Sequence, residues 1–356
     1  MTRRELLLLS SAGPSLGRAL GATSREPQNL SFPLEAVQSS LTPADMFFVR
    51  DHFSEPELSL REWRLRIEGR VARPRELSLA DLVESPTRKI EAVLECAGNT
   101  AGGPAASNGQ WEGVPVEYLL RQAGLQTGAV SVMLEGADSG RLMQDSPNLP
   151  YCQLVPLAKC VQPESLIALK LNDRFLPRKN GFPARAIFPG WYAMNSVKWL
   201  QRIVVLGPGD QAQNFQASGM NKVYNRIVES APGRRDITRL SSIQVKSAIA
   251  WPRDNWKLAT GRHAVRGFAW TGSGLIRKVE FSSDGGRTWI AARFESAPQK
   301  YSWVRWNCSW SAMPGEHVLM SRATDDAGRS QPVQREVGRK DPYELNYCAP
   351  VRCSVL

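Results

Sequence analysis

Histidine is scarce here, with three residues in 356. His52, His263 and His317 are too few and too scattered to build a bis-histidine haem module. The six cysteines are Cys96, Cys152, Cys160, Cys308, Cys348 and Cys353. They form no CxxC pair, which removes zinc and iron–sulfur spacings, and no CxxCH, which removes covalent haem c. No GxGxxG follows a strand and no P-loop occurs, so nicotinamide, flavin and nucleotide chemistry find no motif. No stretch approaches the length of a membrane span. The net charge of +11 comes without any long Lys/Arg block. Arg61-Glu62-Trp63-Arg64 interleaves the two signs, which suits attraction for small anions or an acidic protein partner rather than nucleic acid.

What is present is an ordinary globular composition, 42% hydrophobic, long enough for two domains. Residues 1–24 form a separate leader. Arg3-Arg4 precedes Leu6-Leu7-Leu8-Leu9 and then Ala19-Leu20-Gly21-Ala22, the layout of a twin-arginine export signal with a small-residue cleavage site. Export places the protein in the periplasm; the other reading, a frayed basic terminus, leaves it cytoplasmic. In an exported chain Cys348 and Cys353 are free to pair, though sequence does not decide it.

Residues 25–235 read as an α+β domain of short strands and short helices. Trp63–Gly69 alternates apolar and charged residues, a strand with one wet face. Ser78–Val83 reads as the first turns of a short helix capped by Ser78 or a neighbour, and Val116–Ala123 has helical spacing ending at Gly124. Glu135–Gly140 reads as a turn, residues 102–109 as a flexible loop, and residues 207–240 as an irregular crossover. Residues 236–345 are all β. Val279–Trp289 reads as a hairpin around Asp284-Gly285-Gly286, and Val304, Trp306, Cys308 and Trp310 share one strand face. These strands argue for an immunoglobulin-like sandwich, followed by a tail, residues 346–356.

Leu94-Glu95-Cys96-Ala97-Gly98-Asn99 sets one thiol at the end of an apolar strand, Ile90–Leu94, on Gly-Asn turn chemistry. Such a cysteine is a nucleophile, a soft metal ligand or a small buried hydrophobe. Two further stretches bear on it: Phe47-Phe48-Val49-Arg50-Asp51-His52 upstream, and Gly181-Phe182-Pro183-Ala184-Arg185 through Pro189-Gly190 to Ser196-Val197-Lys198-Trp199-Leu200 downstream. In this order the three resemble the sulfite oxidase family of molybdopterin-dependent enzymes. The resemblance covers roughly residues 30–340. It implies a sulfite-oxidase-type molybdopterin-binding domain and a dimerisation domain at the sandwich, hence a homodimer.

The resemblance implies Cys96 as the protein's thiolate ligand to molybdenum. It places Phe48, Val49, Arg50, His52, Cys96, Asp138, Ser139, Asn180, Arg185, Ser196, Val197 and Lys198 around the cofactor. Asn180 stands where a histidine usually precedes the Gly-Phe-Pro turn; it donates hydrogen bonds but carries no charge. Arg50, Cys96 and Tyr224 are the catalytic candidates, with Tyr224 standing in for an active-site tyrosine whose aligned position holds Met220. Thr100, Ala101 and Pro350 occupy places where the family commonly has arginines, so the pocket is expected to be less basic than its relatives'.

The implied activity is oxygen-atom transfer, the oxidation of sulfite or a related small sulfur compound. Electrons leave to an external c-type cytochrome, because the chain has no haem, flavin or iron–sulfur motif of its own. Reversed chemistry on the same cofactor, S-oxide or N-oxide reduction, suits a pocket with fewer arginines. A cofactor-free binding protein is a third reading. A cofactor loaded before export fits the twin-arginine signal, which carries folded proteins.

Overall fold

The computed structural model describes residues 26–210 and 212–356. The expected export signal, residues 1–24, lies outside them. Among the described residues no helix is long and apolar enough to cross a membrane.

Two five-stranded sheets build the first domain. One has Arg88–Glu95 at its edge, paired antiparallel with Ala106–Pro115 from Arg88↔Gly113 to Glu95↔Ala106. Leu166–Leu171 follows, with Arg174–Phe175 and Arg185–Ile187 both paired to it. The other sheet runs in the order Arg75–Leu77, Leu65–Gly69, Leu200–Leu206, Ser131–Gly140, Leu149–Pro156. Leu65–Gly69 turns Leu65 and Ile67 inward and Arg66 outward, as its alternation requires. Gly113 sits where the ladder to Leu166–Leu171 shifts register, and an added Cβ there would meet the Ile167 carbonyl oxygen at 2.1 Å. Only a residue without a side chain lets these two backbones approach so closely.

Helices are few and short. Leu79–Glu84 starts from a capping box, in which Asp81 N–H donates to Ser78 Oγ and Ser78 N–H donates to the Asp81 carboxylate. Val116–Ala123 buries Val116, Leu119, Leu120 and Ala123 on one face and ends at Gly124 with φ 73°. That left-handed cap suits glycine.

The segment read as an irregular crossover contains an antiparallel ribbon, Asn225–Ala231 with Arg234–Arg239, turning at Pro232-Gly233. The boundary expected after residue 235 therefore falls inside a ribbon strand. The sandwich itself begins at Lys246. Its first sheet runs Lys246–Trp251, Gly261–Trp270, Val304–Ala312, Arg293–Phe294, and its second Trp256–Leu258, Val351–Val355, Gly315–Asp325, Ile276–Ser282, Ile290–Ala291. Between them lie Val265, Phe281, Trp306, Cys308, Trp310 and Leu319. The hairpin loop is wider than expected, because the Asp284 carboxylate accepts from the N–H groups of Arg287 and Thr288, each at 3.0 Å, and delays the second arm to Ile290.

Residues 346–356 are not a free tail. Val351–Val355 is a strand of the second sheet, antiparallel to Gly315–Asp325 and parallel to Trp256–Leu258. Its alternation buries Cys353 and Val355 in the sandwich core. Cys348 and Cys353 are separate, buried free thiols.

Candidate functional site

The strand Arg88–Glu95 delivers Cys96 to the floor of a cavity with about 590 Å³ of empty space, counting its open mouth. Phe48, Val49, Arg50 and His52 form one wall. Ser196, Val197 and Lys198 line it too, in a turn that precedes Leu200–Leu206 rather than within a strand. Asp138 enters from Ser131–Gly140, which continues as strand through the residues expected to turn. A register shift between Glu135 and Ser139 marks the irregularity there.

The cations are held individually. Lys198 Nζ pairs with Asp51 Oδ1, bonds the Lys179 carbonyl at 3.2 Å and lies 4.1 Å from the centre of the Trp199 ring. Arg185 is buried against Trp111, donating to the carbonyls of Ser196 at 3.1 Å and Asn180 at 3.2 Å. Among the described residues no carboxylate forms an ion pair with it. Burial lowers its pKa to about 10, against the pull of Asp51. Arg50 is exposed at the mouth.

His52 Nε2 bonds the Tyr224 hydroxyl, and its ring stacks on Tyr151 with centroids 4.7 Å apart. Burial, then Arg50 and Lys198, lowers the His52 pKa to about 4, so the imidazole is neutral near pH 7. Burial also raises the Tyr224 phenol well above its usual range, with Cys96 adding to the effect. Burial raises the Cys96 thiol, while the Gly98 N–H and Arg50 pull it back. A bound metal is what turns such a thiol into a thiolate.

Of the residues singled out in the sequence, the cavity gathers Phe48, Val49, Arg50, His52, Cys96 and Asp138, together with Arg185, Ser196, Val197, Lys198 and Tyr224. Met220 is fully buried and does not line the pocket, whereas Tyr224 does, beside Tyr151. Ser139 does not line it: one position beyond Asp138 on a strand, its side chain turns to the opposite, exposed face. Asn180 lies behind the wall, wholly buried, its carbonyl holding Arg185. Sequence reasoning passed over Tyr151, Lys179 and Met194, which also line the cavity, as does Asp51 of the expected Phe48–His52 segment. Tyr151 carried no signal of its own.

A further missed residue is Tyr343. Its ring stands 5.3 Å from that of Tyr224, and a Cβ at Gly98 would be 3.9 Å from both Tyr343 Cδ1 and Cys96 Sγ. Glu344 N–H donates to the Ala97 carbonyl at 2.7 Å, and Gly102 abuts Ala349. The segment around Pro350, which was expected to bring no arginine, does reach the Cys96 loop through Ala349, and the residues just before it bring the Tyr343 ring there.

Residues 52–213 match the oxidoreductase molybdopterin binding domain, and residues 238–338 the Mo-co oxidoreductase dimerisation domain. Sulfite oxidase from Gallus gallus is 30% identical over 340 residues, covering 88% of this chain and 73% of that protein. This chain belongs to the sulfite oxidase family. The mitochondrial sulfite oxidase of Homo sapiens is 31% identical over 345 residues, and the chain spans 62% of that protein's length. The fold is shared with the sulfane dehydrogenase SoxCD of Paracoccus pantotrophus, at a TM-score of 0.79 and 24% identity over 96% of this chain and 95% of that one.

As a sulfite oxidase family member, the protein is a molybdopterin-dependent oxidoreductase. The residues present fit that cofactor. Asp138 Oδ1, on the cavity lining, is buried without a partner among the described residues, a cost that native structures carry where something else supplies the bond. Four cations, Arg50, Lys179, Arg185 and Lys198, surround the cavity against two acids, Asp51 and Asp138. That balance suits a group bearing phosphate.

Proposed function

We propose that this protein oxidises sulfite or a related small sulfur oxyanion by oxygen-atom transfer, with Cys96 as the ligand to molybdenum. The observation that carries the reading is a single soft thiol at the floor of a cation-rich cavity with a protonated tyrosine on its wall. The cofactor, when bound, supplies the two-electron redox chemistry. The chain's own residues do the rest. Arg50, exposed at the mouth, draws an anion in. Lys198, neutralised by Asp51, and Arg185, anchored on backbone carbonyls, are set back to hold the cofactor. Tyr224 keeps its proton and so remains a donor, to His52 or to an oxyanion. Neutral His52 fixes that hydroxyl without adding charge beside Arg50.

The electrons go to an external carrier, for which an acidic c-type cytochrome is the natural partner of a chain with net charge +11. The sandwich joins two copies in a homodimer, and export by the twin-arginine signal puts the enzyme in the periplasm. The test is the visible spectrum of the purified protein before and after anaerobic addition of sulfite. A thiolate-to-molybdenum band that bleaches supports the assignment. A band that persists rejects sulfite and points to S-oxide or N-oxide reduction, assayed with a reduced dye.

A further inference from the structure

The loop that carries Cys96 is fixed from outside its own domain. Glu95 is fully buried, and both of its carboxylate oxygens are used. Oε1 accepts from Lys246 Nζ at 2.6 Å and from Asn99 Nδ2 at 3.1 Å, and Oε2 accepts from Trp270 Nε1 at 2.9 Å. Lys246 and Trp270 are cross-strand partners on the first strands of the sandwich, so their side chains leave the same face of that sheet. The carboxylate also sets the loop. Asn99, oriented by Glu95, accepts from Ala105 N–H at 3.0 Å and donates to the Gly103 carbonyl at 3.2 Å. Asn99 N–H in turn bonds the Cys96 carbonyl at 2.9 Å, and Cys96 N–H bonds the Ala105 carbonyl at 3.0 Å.

A buried ion pair is seldom the most stabilising way to fill such a space, since apolar residues of similar volume often do as well. What it does supply is registry: one carboxylate, three directional donors, one arrangement. We propose that Glu95 is a positioning residue for Cys96, and that Lys246 and Trp270 of the dimerisation domain are the donors that aim the thiol into the cavity. The second domain is thereby part of the active site's scaffold as well as a surface for a second copy. The inference rests on reading Cys96 as the metal's ligand.

The test uses the full chain purified without cofactor and follows alkylation of Cys96 by iodoacetamide, read by peptide mass. The double variant Glu95→Gln/Lys246→Met removes the ion pair while leaving net charge unchanged, so the thiol's electrostatics are balanced. Trp270→Phe removes one donor and no charge. Losing a hydrogen bond to a carboxylate shifts a local opening equilibrium about tenfold. Cys96 is therefore expected to alkylate about tenfold faster in each variant, with Lys246→Arg restoring the original rate. Folded variants whose rates stay within about twofold of the unaltered chain would overturn the proposal. Should the double variant fail to fold, Trp270→Phe decides alone. The ligand assignment is checked separately on the loaded protein: Cys96 that reacts as fast with cofactor as without is no ligand, whatever the variants show.

Discussion

Asn108 offers a stability prediction that can be worked through from geometry. It is fully buried in Ala106–Pro115, and its Nδ2 lies 2.7 Å from Glu91 Oε1, 3.0 Å from Ser302 Oγ and 3.0 Å from the Ser40 carbonyl. An amide nitrogen has two hydrogens, so two of these three contacts are bonded at a time. Asn108→Ala loses one bond to a carboxylate and one neutral bond, together about 2.5–4 kcal/mol. It also removes Oδ1, which has no partner, recovering about 1–3 kcal/mol of desolvation. The net cost is about 1–2 kcal/mol.

Asn108→Asp keeps the shape and reverses the chemistry, setting a second carboxylate where Nδ2 stood 2.7 Å from Glu91 Oε1. Two full charges at that distance repel by about 6 kcal/mol at an effective dielectric constant of 20. The pair escapes by taking up one proton. For an acid of unfolded pKa near 3.9 that costs about 4 kcal/mol at pH 7 and about 1.5 kcal/mol at pH 5. The sign follows from linkage: a carboxyl whose pKa is raised on folding destabilises at high pH, and the penalty vanishes below its unfolded value. Urea unfolding at constant slope is therefore expected to show Asn108→Asp about 2 kcal/mol or more below Asn108→Ala at pH 7. The two should converge near pH 5. A gap that ignores pH, or an Asp variant no worse than Ala at pH 7, would refute the geometry around Glu91.

Four further expectations follow from other parts of the molecule. Cys96→Ser should fold and lose turnover together with the thiolate-to-metal absorption; normal activity removes Cys96 as ligand. Arg50→Met should raise KM for an anionic substrate more than it lowers kcat or molybdenum content, and an unchanged KM takes Arg50 out of the pocket. Gly113→Ala, whose Cβ would meet Ile167 and Ala168 backbone atoms at 2.1–2.6 Å, should cost about 3 kcal/mol or more, and a melting temperature unchanged within error would contradict that close approach. Ser78→Ala should lose about 1 kcal/mol from the capping box with no change in KM, and equal stability would mean the cap is idle.

The motif residues were legible because cofactor binding needs particular chemistry at fixed chain positions. Phe48 to His52, Cys96, and Ser196 to Lys198 all reach one cavity. Helix ends were legible as well, since Ser78 and Gly124 act locally. Side-chain direction inside an irregular strand was not: Asp138 and Ser139 are neighbours in sequence, yet only one faces the cavity. Residues 106–109 read as loop because of their Ser-Asn-Gly composition. They are strand because their backbone pairs with Ala92–Glu95, while Asn108 Nδ2 finds acceptors in Glu91 and Ser302, distant in sequence. Tyr343 was invisible for the same reason, its role arising from contact with a loop some 245 positions earlier. Lys246 and Trp270 carried no mark of their tie to Glu95.

That tie spans 151 and 175 positions of chain. At a synthesis rate of about 5–20 residues per second, the ribosome needs roughly 8–30 s after making Glu95 to make its first distant partner. Through that interval Glu95 lacks its Lys246 and Trp270 donors, and the cysteine loop has only the local bonds among residues 95–105. A nascent first domain therefore presents an open, adaptable cradle, and the hold on the thiol tightens only once the sandwich has emerged and docked.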